Sequence, residues 1–318
     1  MKCQVCKAPA VIDLPRNNSQ FCADHFVRFC IEQVATAIRR HQMIAPDERV
    51  LVAVSGGKDS LALWDILLGL GYRADGLYLA LGIGDYSDES GDYARRFAAE
   101  RDVALTEVDL RADHGFDVPM AAQATGRAPC SACGLSKRHL FDDAARRGGY
   151  AVVATGHNLD DEAAVLFGNV LHWEVGYLAR QAPVLPERDG MPRKVKPLIR
   201  LTEREMAAYC IVRGIDYQVE ECPMAAGNRH LEYKAALNSI ELASPGSKFA
   251  FYDGFQRRMA PLLDGVWTAE RDELNSCERC GAPTSADGLC AFCRLTDSAT
   301  RPQPVTLGRA RRDRQAPA

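Results

Sequence analysis

No stretch of this sequence reaches the roughly 18 consecutive apolar residues that a bilayer-spanning helix needs. The opening residues, Met-Lys-Cys-Gln-Val-Cys, carry no apolar signal-peptide core. A membrane is therefore not an expected partner, and a cytoplasmic location is expected. Nor does one sign of charge dominate: 39 Lys and Arg face 42 Asp and Glu, for a net charge of −3. Any nucleic acid must be held by local basic patches and not by a globally positive body. The Walker A spacing, with four residues between a glycine and a Gly-Lys pair, is also missing, which excludes the commonest nucleotide-phosphate loop.

What the chain has in abundance is cysteine, with 12 in 318 residues. In a reducing compartment such a count points to metal ligands in preference to disulfides. Hydrophobic residues at 47% and charged residues at 25% are the proportions of a globular protein. The length accommodates one large domain with additions, or two domains.

The sequence is organised around Leu51-Val-Ala-Val-Ser-Gly-Gly-Lys-Asp-Ser60. A buried strand runs into a glycine turn, and a helix with apolar Leu61, Leu63, Trp64, Leu67 and Leu68 follows at once. Gly56 and Gly57 let backbone N–H groups converge on an anion, and the helix N-terminus adds favourable partial charge. Ser55 and Ser60 can donate hydroxyls, and Lys58 offers a mobile positive charge. Ser55–Ser60 resembles the PP-loop of the ATP pyrophosphatases, which cleave ATP between the α and β phosphates. The bland alternative is an ordinary strand-to-helix turn.

Strands are expected at Arg49–Val54, 74–81, 104–109, 150–154 and, as the last core strand, Ile215–Glu220, with helices between them. Alternation of this kind implies an α/β fold with a parallel sheet covered on both faces. Ligands of such sheets bind beyond the carboxyl ends of the strands, where strand order reverses. That places Ser55–Ser60 and the end of the second strand, around Leu79, at one site, with backbone near Leu79 reading an adenine. Residues His114–Ala128 read as a loop or small helix. In Thr155-Gly-His-Asn-Leu-Asp-Asp161, Gly156 permits close backbone approach. Asp160 and Asp161 can hold Mg2+ or orient a reacting group, or can simply cap the next helix. Arg193, Lys194, Lys196 and Arg200 form a basic stretch that suits nucleic-acid phosphates or a solvated loop.

Three cysteine groups stand out. Cys3, Cys6, Cys22 and His25 form two short chelating pairs around a turn-rich loop, a pattern that suits tetrahedral Zn2+. Cys277, Cys280, Cys290 and Cys293, with turn glycines Gly281 and Gly288, have the spacing of a four-cysteine zinc ribbon. Cys130, Cys133 and Cys222 remain, all expected at the ligand-binding edge of the sheet. Three thiolates are one short of a closed zinc site and suit a [4Fe–4S] cluster with one open iron. A redox dithiol with Cys222 handling sulfur is the competing chemistry, and cysteine spacing does not separate iron from zinc. Cys30 and Cys210 are expected in the core.

With these pieces placed, the sequence resembles the TtuA/TtcA family of tRNA 2-thiolation enzymes, and its TtuA branch in particular. The features that carry the resemblance are the Cys3/Cys6/Cys22/His25 finger, Ser55–Ser60, Gly82-Ile-Gly, Cys130/Cys133, Thr155–Asp161, Lys196-Pro-Leu, Cys222 and the terminal ribbon. The TtcA branch lacks the terminal zinc modules. The wobble-uridine thiolases share them and stay a close alternative. The Arg-rich extension after Cys293 departs from the family pattern.

The resemblance implies a parallel-sheet PP-loop ATP pyrophosphatase domain, akin to the adenine nucleotide α-hydrolases, flanked by N- and C-terminal zinc fingers. The divisions are a finger over 1–30, the catalytic domain with its Fe–S site over 31–228, and a helical tRNA-binding extension over 229–270. A four-cysteine ribbon over 271–296 and a disordered Arg-rich tail over 297–318 complete the chain. ATP, with Mg2+, would sit on Ser55, Gly56, Gly57, Asp59 and Ser60, with further contacts from Ala53, Leu79, Lys137 and Gly156. Uracil O2 would attack the α-phosphate, Lys137 would stabilise the developing charge, and Asp161 would serve in acid–base or positioning work. Sulfide bound to the [4Fe–4S] cluster of Cys130, Cys133 and Cys222 would then replace the adenylated oxygen. The implied setting is a homodimer with two zinc ions per chain and tRNA as substrate, most simply at 5-methyluridine 54. Its sulfur would come from a ubiquitin-like thiocarboxylated carrier or from free sulfide. A small-molecule PP-loop ligase is the more distant alternative.

Overall fold

The computed structural model describes residues 1–225, 227, 229–269 and 274–301. Most of the expected tail, from residue 302 on, lies outside them. The chain opens with a hairpin of β1 (Ile12–Leu14) and β2 (Ser19–Phe21), followed by α1 (Ala23–His41). The core then runs β3 (Arg49–Val54), α2 (Lys58–Gly69), β4 (Arg73–Ala80), α3 (Gly84–Arg101), β5 (Leu105–Asp109), α4 (Leu110–His114), α5 (Val118–Thr125) and α6 (Pro129–Gly148). It continues with β6 (Val152–Thr155), α7 (Leu159–Leu171), α8 (Val175–Ala179), β7 (Val184–Leu185), β8 (Arg193–Val195) and α9 (Glu203–Arg213). Helices α10 (Arg229–Ala243), α11 (Ser247–Arg258) and α12 (Ala260–Ala269) form an extension. A small hairpin, β9 (Asn275–Ser276) and β10 (Pro283–Thr284), leads to α13 (Ala291–Thr300). Among the described residues, no helix is long and apolar enough to cross a membrane.

Six strands form one sheet in the order β5-β4-β3-β6-β8-β7, parallel except for β7. The chain steps outward from β3 to β4 and β5, then returns to place β6 on the other side of β3. Strand order thus reverses at β3, where a parallel sheet leaves a crevice beyond its carboxyl ends.

Side chains alternate between the two faces of β3. Val50, Val52 and Val54 pack with α1, α2, α3, α7 and α9 through Phe26, Trp64, Phe97, Leu166 and Met206. Leu51, with Leu77, Leu79 and Val153, joins Phe116, Leu140, Phe292 and Leu295 on the opposite face. Cys30 and Cys210 are fully buried on the first face, as expected.

Three expectations need correction. Ile215–Glu220 is not a strand: only Gln218 bridges, to Gly57, its N–H donating to the Gly56 carbonyl at 2.9 Å. Val219 points outward and is 76% exposed, so this segment crosses the sheet's carboxyl edge instead of entering it. The sheet ends on β8 and β7, and β8 is formed by the basic stretch itself. There Lys194 pairs with Asp142 at 2.7 Å, Lys196 with Glu162 at 2.8 Å, and Arg193 with Glu48. Arg200 donates to Gln33 at 2.9 Å and lies over the Phe249 ring. These cations staple elements of the fold together. Finally, Asp297–Thr300 continue α13 and do not begin a tail, because Leu295 and Ala299 are buried against the second core.

Candidate active site and metal centres

The turn between β3 and α2 has the conformation its glycines allow. Gly56 has φ +76°, and a β-carbon there would collide with the Ser90 backbone of α3. Gly57 is the N-cap of α2 and supplies no side chain, so the first N–H groups of the helix stay open. The Ser60 hydroxyl is spent on the loop itself: it accepts from the Ser55 N–H at 3.0 Å and donates to the Gly57 carbonyl at 3.0 Å. Lys58, expected as a mobile charge, is instead tied to Glu203 at 2.8 Å and to Asp59 at 3.2 Å.

Beyond the ends of β3, β4 and β6 lies a cavity of about 280 Å3. Ala53, Ser55, Asp59, Ser60, Leu79, Lys137 and Gly156 line it, while Gly56 and Gly57 make the turn between Ser55 and Asp59. Gly156 sits so close to the start of α2 that a β-carbon would come within 2.9 Å of the Ser60 amide nitrogen. The structure also adds wall residues that pattern reading missed: Tyr78, Tyr86, Ser87, Ser90, Phe141 and His157. Tyr86, Ser87 and Ser90 come from the early turns of α3, whose polar Gly-Asp-Tyr-Ser-Asp start reads as loop.

Burial pushes the Asp59 carboxyl up to about 6, overriding the Lys58 ammonium, and the neighbouring Asp161 charge adds to the rise. Asp161 itself does not line the cavity. Burial opposes its charge, yet Lys234, 2.6 Å away, holds its carboxyl below the usual range. Its Oδ2 accepts from the Asn158 N–H at 3.1 Å, completing a capping box at the start of α7. Asp160 is equally committed: Oδ1 pairs with Lys248, and Oδ2 accepts from the Glu203 N–H at 2.8 Å. Both aspartates thus brace the start of α7 through partners on other elements.

Among the described residues, two groups bring all their potential ligand atoms within 4.8 Å of one another: Cys3, Cys6, Cys22 and His25, and Cys277, Cys280, Cys290 and Cys293. A tetrahedral ion with about 2.3 Å metal–sulfur bonds implies sulfur–sulfur edges of about 3.8 Å. The observed Sγ–Sγ separations are 3.7 Å for Cys6 and Cys22 and 3.8 Å for Cys277–Cys293 and Cys280–Cys290. His25 presents Nδ1 3.6 Å from Cys3 Sγ. Both donor sets fit one tetrahedral ion.

The third trio is arranged differently. Cys130 and Cys133 occupy the first turn of α6, and Cys222 precedes a short 3-10 turn at Pro223–Ala225. The Cys130 thiol donates to the Met224 carbonyl at 3.6 Å. Cys133, Cys222 and Met224 pack against the same core as Tyr86, which lines the cavity. Cys133 and Lys137, one turn apart on α6, place a thiol beside the one lysine of the cavity lining.

Residues 2–27 match the family described as 2-thiouridine synthetase TtuA, N-terminal LIM domain, and residues 30–230 match the PP-loop domain. A tRNA-5-methyluridine(54) 2-sulfurtransferase from Thermus thermophilus is 50% identical over 301 residues, covering 95% of this chain and 92% of that protein. The chain belongs to the TtuA branch of the PP-loop tRNA 2-thiolation family. A second protein of that name, from Pyrococcus horikoshii, is 39% identical, with 93% of each chain covered. Similarity to this TtuA-branch chain extends further, to a Bos taurus protein named cytoplasmic tRNA 2-thiolation protein 1, 32% identical over 98% of this chain and 92% of that one. Among solved structures, the U34-tRNA thiolase NcsA from Methanococcus maripaludis, determined with its [4Fe–4S] cluster, superposes with a TM-score of 0.76. It covers 93% of this chain and 96% of its own at 22% identity, so it shares the fold. The expected α/β PP-loop architecture with cysteine clusters at both ends is the one found.

Proposed function

We propose that this enzyme uses ATP to convert 5-methyluridine 54 of tRNA to its 2-thio form. The observation that carries the reading is one cavity lined by the Ser55–Ser60 turn, Lys137 and Tyr86, with Cys133 and Cys222 packed against the same core as Tyr86. The N–H groups at the start of α2 receive the ATP phosphates, and Gly156 allows that approach. Leu79 and Ala53, at the strand ends, border the adenine. Mg2+ arrives with the nucleotide and is held chiefly by its phosphates.

Uracil O2 attacks the α-phosphorus, and pyrophosphate leaves with the electron pair. Lys137 faces the charge that grows on the phosphoryl oxygens, where a preplaced ammonium acts with least reorganisation. Asp59 lies at the phosphate end of the cavity. Cys130, Cys133 and Cys222 would hold an iron–sulfur cluster, for which three thiolates suffice. A [4Fe–4S] cluster held there would supply an iron site that delivers sulfide to the activated C2 as AMP departs. Two Zn2+ ions occupy the terminal donor sets. By the same reading the sulfur comes from a ubiquitin-like thiocarboxylated carrier or free sulfide, and the enzyme works as a cytoplasmic homodimer.

Position 54 is favoured because the 50% and 39% identical relatives are named for it. The test is nucleoside mass spectrometry of tRNA, mapped by position, from cells with and without the gene. Loss of 2-thio-5-methyluridine at 54 is the expected result. Loss of wobble 2-thiouridine would move the substrate to position 34, and no lost thionucleoside would end the tRNA assignment.

A further inference from the structure

Six residues beside the nucleotide cavity close into a ring, five through their side chains and Asn158 through both its side chain and its backbone N–H. Lys58 meets Asp59 at 3.2 Å and Glu203 at 2.8 Å. Glu203 Oε2 lies 3.4 Å from Lys234, and Lys234 lies 2.6 Å from Asp161 Oδ1. Asp161 Oδ2 accepts from the Asn158 N–H at 3.1 Å, and Asn158 Nδ2 donates to Asp59 Oδ1 at 3.0 Å. The ring joins the first turns of α2, α7 and α9. Its one member from outside the sheet domain's helices is Lys234, on α10.

The placement of Lys234 follows from close packing. Helix α10 lies along α7, with Leu237 against Ala163 and Ala164. Gly168 lets the Tyr233 ring in: a β-carbon there would stand 2.6 Å from it. These contacts fix the register of α10 and set Lys234 over Asp161. A second strap, Lys248 of α11 on Asp160 with Asn238 at 2.8 Å, holds the same end of α7.

Three carboxylates and two ammoniums make the ring net negative. Without Lys234, Asp59, Asp161 and Glu203 would face each other across Lys58 alone, and the first turns of α2 and α7 would be pushed apart. The nucleotide turn starts α2, and Gly156 precedes α7, so that displacement opens the cavity where it is narrowest.

We propose that Lys234 is a positioning residue for the adenylation step, acting through Asp161, Asn158 and Asp59 to hold the starts of α2 and α7 at the spacing the nucleotide requires. The inference rests on the proposed ATP-dependent thiolation. It assigns the helical extension a part in building the active site, in addition to any contact it makes with RNA.

The test is steady-state thiolation by the full-length, metal-loaded protein, with ATP and tRNA varied separately and thermal stability measured alongside. Lys234→Met should lower kcat about tenfold or more, as sub-ångström to ångström misplacement does, with KM for tRNA within about twofold of wild type. Lys234→Arg should recover most of the rate. Glu203→Gln, which removes one of the three carboxylates and so lessens their repulsion, should lower kcat less than Lys234→Met does. The double variant should fall short of the product of the single effects, because the two residues share one network. Unchanged kcat in Lys234→Met would overturn the inference. So would a raised KM for tRNA at unchanged kcat, which would make Lys234 an RNA contact. Wild-type protein that thiolates no tRNA would instead remove the parent reading.

Discussion

Gly156 and the Ser60 amide stand so close that residue 156 has no room for a side chain: its β-carbon would lie 2.9 Å from Ser60 N and 3.0 Å from the Asp59 carbonyl carbon. Both atoms are backbone at the start of α2, so the clash cannot be relieved by rotating a side chain.

Gly156→Ala should therefore displace the nucleotide turn. The expected cost is about 1–3 kcal/mol of stability, typical of overpacking, together with a raised KM for ATP. Gly69→Ala is the control: nothing lies within 4 Å of its β-carbon position at the end of α2. It should be neutral or stabilising, because alanine is the better helix former. Thermal melts and ATP titration check both.

Asp59 gives a pH signature. Its carboxyl is raised by burial from the ordinary value of 3.8 to about 6. The folded protein thus binds this proton more tightly than the unfolded chain does, and stability contributed by protonated Asp59 falls as pH rises from about 4 to about 6. Asp59→Asn should abolish that slope. Relative to wild type, the variant should gain up to about 3 kcal/mol across this window, measured by chemical denaturation at stepped pH.

The N-terminal finger is fastened by a buried ion pair. Arg16 reaches Glu205 at 2.8 Å and donates to the Arg200 carbonyl at 2.7 Å, with 10% and 2% of the two charged side chains exposed. Arg16→Met strands the Glu205 charge and should cost about 3–5 kcal/mol. Combining it with Glu205→Gln should restore part of the loss. Unchanged denaturation midpoints would show that the pair contributes nothing.

Metal content separates the three cysteine groups. Intact protein should carry two zinc ions per chain, and Cys290→Ser should reduce this to one while lowering the melting temperature. Cys222→Ala should keep both zinc ions and ATP binding but lose the broad visible absorption of an iron–sulfur cluster, and thiolation with it. Elemental analysis and absorption spectra, read on the same samples, decide each case.

The sequence made legible what short-range physics dictates. Leu51–Val54 is an unbroken apolar run ending in Gly-Gly, and a central parallel strand with an anion turn has few other readings. The apolar stripe of α1 and the chelating spacings were equally local signals. What stayed hidden depended on partners distant in sequence. Arg193–Val195 looks like a solvated basic loop until Glu48 and Asp142 are seen to neutralise it. Ile215–Glu220 has strand-like residues but meets no strand to pair with. Asp160 and Asp161 look like free carboxylates because Lys234 and Lys248, which claim them, lie more than 70 positions further on. Tyr86, Ser87 and Ser90 join the cavity only because α3 begins earlier than its polar first turn suggests.

The two terminal cysteine modules seal opposite faces of one sheet: Ile12 and Leu14 belong to the first core, while Cys277, Phe292 and Leu295 belong to the second. Synthesis makes one face's cover before the strands and the other's after them. Until the ribbon emerges from the ribosome, Leu140, Phe116 and the far side of the central strands have no lid, although the nucleotide turn has long been made. His139 stacks on Phe292 at 4.1 Å, so the wall carrying Lys137 is braced only once the ribbon has been made. A chain cut before α13 should therefore leave Phe116 and Leu140 without their cover, an apolar face that binding of a hydrophobic dye would report.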